Sequence, residues 1–165
     1  MQRKAKKPVV AIEGRQAFLK SIQLIAIRLV SSKCSVKHDR YFALLVDREN
    51  SSITISSDYR LLDVGEETFD VEGEFRWVAN NVKSETGLSI GCVYQAHFHA
   101  DDVIGNRELA KEFAQSEMRL ILWPYFRQFA FETSARMSVP PITVPLTTEL
   151  EKKPGAPGSR RAVRR

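Results

Sequence analysis

The residues best equipped for chemistry in this chain of 165 residues lie between Gly91 and Asp102. His97 and His99 stand two apart in a segment that alternates like a strand, so both imidazoles project from one face, an arrangement that can ligate a metal. A third ligand is harder to find. His38 is the only other histidine, Cys92 has the opposite parity, and a closed site would need Asp101, Asp102 or a second subunit. The pair is therefore read as solvated strand positions, with no metal expected. Asp101-Asp102 and Glu66-Glu67 are paired carboxylates, but neighbours at a strand end or turn point apart, whereas acid–base work needs two groups converging on one substrate atom. No Gly-x-Gly-x-x-Gly, P-loop, Gly-x-Ser-x-Gly or Cys-x-x-Cys occurs, which removes phosphate cradles, nucleophile elbows and thiol redox centres. The chain reads as a non-enzyme with no cofactor.

The elements that carry these residues are strands first and helices last. Arg15 to Ser21 reads as a short helix, and Ile22 to Val36 opens with a β-branched run whose period favours a strand. The conformation of Tyr41 to Asn50 stays open between a strand and a crossover. Beyond the turn-rich stretch from Asp47 to Ser52, Ile53, Ile55, Tyr59 and Leu61 share one parity and predict a strand to Asp63. The clearest pattern follows: Phe69, Val71, Phe75 and Trp77 on one face, Asp70, Glu72, Glu74 and Arg76 on the other. Leu88 to Ala100 repeats the alternation, and strands joined by short polar turns are normally antiparallel. A helix is expected from Asn106 as N-cap, with Glu108 in its first turn and Leu109 and Phe113 four apart. Pro124 predicts a break just before it, since proline lacks the amide proton and clashes with the preceding turn. Phe126, Phe129, Ala130, Thr133 and Met137 then define an amphipathic helix that stops at Val139-Pro140-Pro141, with Ile142 to Leu146 extended. Helices following strands in this order imply an α+β fold with the helices packed on one face of an antiparallel sheet.

Composition agrees with one globular domain, 43% of the residues being apolar and 27% charged. The longest apolar runs, such as Phe42 to Val46 and Leu120 to Tyr125, fall far short of the ~20 residues of a bilayer span. The basic N-terminus lacks an apolar core or cleavage site, so export is not expected. Two cysteines, Cys34 and Cys92, make no disulfide framework and fit a reducing cytoplasm. The net charge of +5 conceals a division: residues 1–7 carry four bases and residues 151–165 six against one acid, leaving 15 bases and 19 acids between them. The body is acidic and the ends are basic. Residues 1–14 are expected to be a basic flexible arm, 15–150 the folded domain, and 151–165, rich in Pro, Gly and Ser, a disordered basic tail.

The segment from Leu122 to Pro145 resembles the signature of the SecB family. Leu122, Trp123, Pro124, Tyr125 and Arg127 match its helix opening, Gln128 stands where Glu is usual, and Arg136 with Pro140-Pro141-Ile142 matches the exit. The four preceding strands follow the family order, so the likeness spans about residues 20–148. The ending is most similar to the SecB-like chaperones of toxin–antitoxin systems. The resemblance implies a four-stranded antiparallel sheet and a homotetramer built as a dimer of dimers. It also implies a cytoplasmic, ATP-independent holdase for unfolded or nascent polypeptides, among them export-competent preproteins or an antitoxin, with SecA or a cognate antitoxin as partner. Phe69, Val71, Phe75 and Trp77, with Ile142 and Val144, are the expected lining of a client groove. Leu122, Phe126 and Phe129 are the expected packing residues between subunits. Trp123, Tyr125, Phe126, Phe129 and Phe131 exceed what one helix stripe buries against a sheet, which leaves apolar surface for an oligomer or a client. The competing reading is a nucleic-acid-binding module acting through the basic tails, opposed by the acidic body and the absence of a recognition motif.

Overall fold

The computed structural model describes residues 9–47, 51–81 and 83–145, with side chains from Gly14 onward; the expected basic tail lies outside them. The chain forms α1 (Val9–Ser21), β1 (Gln23–Val36), α2 (His38–Val46), β2 (Ser52–Val64), β3 (Thr68–Asn80), β4 (Thr86–His99), α3 (Arg107–Ser116) and α4 (Met118–Arg136). The strands make one antiparallel sheet in the order β1-β4-β3-β2. Consecutive strands β2, β3 and β4 are neighbours through short turns, while β1 closes the far side against β4.

That order explains the segment left open by the sequence. Strands β1 and β2 occupy opposite edges, so their connection must cross the sheet, and it does so as α2. Tyr41 and Leu44, three apart, turn inward, and the close approach depends on Gly87 at the start of β4. A Cβ there would lie 2.8 Å from Leu44 and 3.0 Å from the Tyr41 amide.

The core is the helix-covered face of β3 and β4. Phe69, Val71, Phe75, Trp77, Leu88, Ile90, Cys92, Ala96 and Phe98 are buried there as the alternation required. Phe69 stacks on Phe98 at 5.0 Å with Phe113 of α3 edge-on, and Phe75 stacks on Phe126 of α4 at 5.0 Å. Gly73 is the gap through which α4 approaches the sheet, since a Cβ there would meet Leu122 Cδ1 at 2.7 Å. Edge strand β1 keeps Leu24, Ile25, Leu29 and Val30 about half exposed, with register shifts that bulge it at Ile25 and Val30.

Three boundaries differ from the sequence reading. Helix α1 begins at Val9 and so takes in residues 9–14 of the expected arm; it is fixed by buried Phe18 and an ion pair between Arg15 and Glu112 of α3. The break expected before Pro124 falls instead at Glu117, and α4 runs through the proline. Leu122 and Trp123 are buried beside it, and the carbonyl that loses its donor belongs to exposed Leu120, where water can satisfy it. Asn106 does precede α3, but its amide donates to the Asp102 carbonyl at 2.8 Å instead of capping the helix.

Candidate functional site

Beyond α4 the chain turns at Ser138, whose φ of 56° lies in the left-handed region, and runs back extended along its own helix. Three α4 side chains at spacings of four and seven, hence on one stripe, hold it there. The Trp123 indole Nε1 donates to the Pro145 carbonyl at 2.7 Å, and Arg127 Nε donates to the Val144 carbonyl at 2.9 Å. Buried Ser134 accepts the Ile142 amide at 3.0 Å while donating to the Phe131 carbonyl. Val139, Ile142 and Val144 turn inward and are buried. The Trp–Pro–Tyr–x–Arg stretch thus acts as a clamp: Trp123 and Arg127 secure the segment that carries Pro140 and Pro141.

The clamped segment forms one wall of an apolar hollow of about 580 Å³. Tyr41, Leu44 and Leu45 of α2 form another wall, Ile53 and Ile55 of edge strand β2 a third, and Trp77 and Ala79 the floor. Ile53 is 63% exposed, although it is an isoleucine beside other apolar groups. The hollow is lined mostly by hydrocarbon and proline, with Ser51 and Thr143 among its polar groups. It can desolvate apolar side chains, at roughly 25 cal/mol per Å² removed from water.

Of the residues expected to line a groove, Trp77 and Ile142 do so. Phe69, Val71 and Phe75 are each no more than 1% exposed, sealed beneath α3 and α4, and Val144 is buried against α4. The alternation identified their face correctly, but the helices cover its first half and leave only the end near Trp77 open. Leu122 and Phe126 are likewise fully buried against the sheet and Phe129 partly so, which withdraws the first two from packing between subunits. The apolar surface that α4 does expose is Leu120, Tyr125 and Phe131. Sequence reading missed Tyr41, Leu44 and Leu45, whose helical i, i+3, i+4 spacing was the available signal.

The other face of the sheet is polar. Arg28, Gln95, Asp70 and His97 form a chain of hydrogen bonds across three strands: Arg28 donates to the Gln95 carbonyl oxygen, the Gln95 amide donates to Asp70 at 3.0 Å, and His97 Nδ1 bonds Asp70 at 2.7 Å. His97 is thereby engaged with a carboxylate, and among the described residues no three His, Cys, Asp or Glu side chains gather as metal ligands. Cys34 and Cys92 are free thiols. No described helix is long and apolar enough to cross a membrane.

No family model matches the chain, and neither does any curated protein. Solved structures do. A protein of unknown function from Streptococcus agalactiae aligns with a TM-score of 0.42 at 14% identity, over 75% of this chain and 96% of that one. The Mycobacterium tuberculosis SecB-like chaperone Rv1957, solved in complex with a ChAD peptide from the HigA1 antitoxin, aligns with a TM-score of 0.60 at 19% identity, over 84% of this chain and 97% of that one. The four-stranded sheet, the crossing connection and the C-terminal helices are therefore those of the SecB-like fold, and this chain carries it.

Proposed function

We propose that this protein is an ATP-independent, non-catalytic holdase that binds unfolded or nascent polypeptide in the hollow between α2, β2 and the clamped segment. The observation that carries this reading is the apolar hollow itself, open to solvent beside an edge strand. Such a site takes apolar side chains of many shapes, and a strand edge offers backbone hydrogen bonds that do not depend on sequence. Binding the unfolded form holds a client back from folding and aggregation by mass action alone. The similar fold bound to an antitoxin peptide supports an antitoxin among the clients, ahead of an export preprotein or SecA. A cytoplasmic setting suits the free thiols.

Self-association into the tetramer that the resemblance implies would draw on the exposed apolar residues of β1 (Leu24, Ile25, Leu29, Val30) and of α4 (Leu120, Phe131). An apolar edge strand such as β1, whose outer side has no neighbouring strand among the described residues, is a template for a second chain. The test is light scattering of a chemically unfolded, aggregation-prone protein diluted into buffer with and without this chain, at low and high salt and without ATP. Suppression that survives high salt is expected. Suppression abolished by salt would transfer the activity to the basic tails, and no suppression would end the reading.

A further inference from the structure

The apolar hollow is the first of three that follow strand β2. A second, of about 520 Å³, starts at the shared Ile55 and passes Ser57 and Tyr59 toward Gln115, Arg119 and Trp123. A third, of about 390 Å³, shares Tyr59 and Gln115 with the second and reaches Leu61 and Leu62. Together they make one groove from Ile53 to Leu62, about 30 Å long at ~3.3 Å per strand residue.

Its chemistry changes along its length. At the α2 end the walls are hydrocarbon and proline. Midway the Arg119 guanidinium stacks over the Trp123 ring at 5.5 Å and faces the buried Tyr59 hydroxyl. At the far end Arg107 and Lys111, one turn apart on α3, line the wall. Both are exposed, and neither forms an ion pair among the described residues. The remaining cation there, Arg60, is held by Glu72 at 2.5 Å, and the acid on that wall is Glu108. One end of the groove thus removes hydrocarbon from water, and the other offers two uncommitted cations to an anion.

Building on the holdase reading, we infer that the groove selects extended polypeptide segments in which an apolar stretch is followed or preceded, about nine residues away, by carboxylates that seat at Arg107 and Lys111. That spacing is the groove length divided by the ~3.3 Å rise of an extended chain. The client class is acidic-flanked apolar segments, and clients with basic flanks are disfavoured by like-charge contact.

The test uses the full chain and fluorescence anisotropy with three labelled peptides sharing one apolar core, flanked on either side by Asp, by Asn or by Lys. The Asp peptide is expected to bind roughly 2- to 30-fold tighter than the Asn peptide at low salt, the range that two exposed ion pairs supply. The double variant Arg107→Glu, Lys111→Glu should reverse the order of the Asp and Lys peptides. Equal binding of all three peptides, or an Asp preference undiminished in the double variant, would overturn the inference while the holdase reading stands, the latter assigning the preference to the basic ends. Failure of even the Asn peptide to bind would remove the holdase reading with it.

Discussion

Replacing Ser134 with alanine removes a single oxygen from a residue with no solvent exposure, and the consequence follows from what that oxygen does. It accepts the Ile142 amide at 3.0 Å, in a place where that amide has no water to turn to. A buried donor left without a partner costs about 1–3 kcal/mol. The loss falls on residues 139–145, because Ser134 also sits on α4, whose packing against the sheet through Phe126 and Leu122 does not involve the hydroxyl. Burial of Ile142 and Val144, worth about 1.5–3 kcal/mol each, and the Trp123 and Arg127 hydrogen bonds still hold the segment in place. Ser134→Ala should therefore raise the local opening of the clamped segment by about 5- to 140-fold, the stated cost converted at 1.4 kcal/mol per tenfold. Native-state hydrogen exchange reads this directly, with faster exchange of the Ile142 amide and unchanged protection of β3 and β4 amides. Client affinity should fall in parallel, as the wall formed by Pro140 and Pro141 is present for less of the time. Unaltered exchange at Ile142 would refute the clamp, and equal acceleration throughout the sheet would refute its independence from the core.

Three other outcomes follow from the packing. Gly73→Ala forces a Cβ to 2.7 Å from buried Leu122 and 3.2 Å from Phe75, and should lower stability in urea by about 1–3 kcal/mol, with partial rescue by a shortened side chain in Leu122→Val. Phe126→Ala, emptying a fully buried site stacked on Phe75, should cost about 3–5 kcal/mol, whereas Phe131→Ser, at a site 52% exposed, should leave urea stability nearly unchanged and weaken self-association in sedimentation velocity. Burial pushes the Cys92 thiol up from 9.0 to about 12 and the Tyr94 phenol up from 10.0 to about 12. The folded chain therefore keeps protons that the unfolded chain releases, so their stabilising contribution is complete below pH 9 and declines as the pH rises toward 12. Urea midpoints that fall across that window, with the earliest part of the fall absent in Cys92→Ala, are the expected result.

The two central strands were legible in the sequence because a strand buried on one face writes its pleat into the residue types. Phe69, Val71, Phe75 and Trp77 are buried, and Asp70, Glu72, Glu74 and Arg76 project from the other face. The edge strands β1 and β2 spoke more weakly, since half-exposed positions such as Leu24 and Ile53 carry little selection for a face. Helix α2 left only a weak signal, the spacing of Tyr41, Leu44 and Leu45 within nine residues or about two and a half turns, and the need for a crossing element arises only when β1 and β2 are known to sit at opposite edges.

The candidate site divides in the same way. Sequence alone determined the α+β class, the inward face of each central strand, the apolar excess on α4 and the resemblance carried by Leu122 to Pro145. Which of the inward residues a client could reach was decided by tertiary structure, because periodicity records that a side chain is buried and not what buries it. Phe69 and Phe75 face Phe113 and Phe126, while Trp77, six residues further along the same strand as Val71, faces an open hollow. The clamp by Trp123, Arg127 and Ser134, and the placing of Arg107 and Lys111 along the same groove, bring residues 30 to 57 positions beyond Trp77 to its side of the sheet only once α3 and α4 fold back over it.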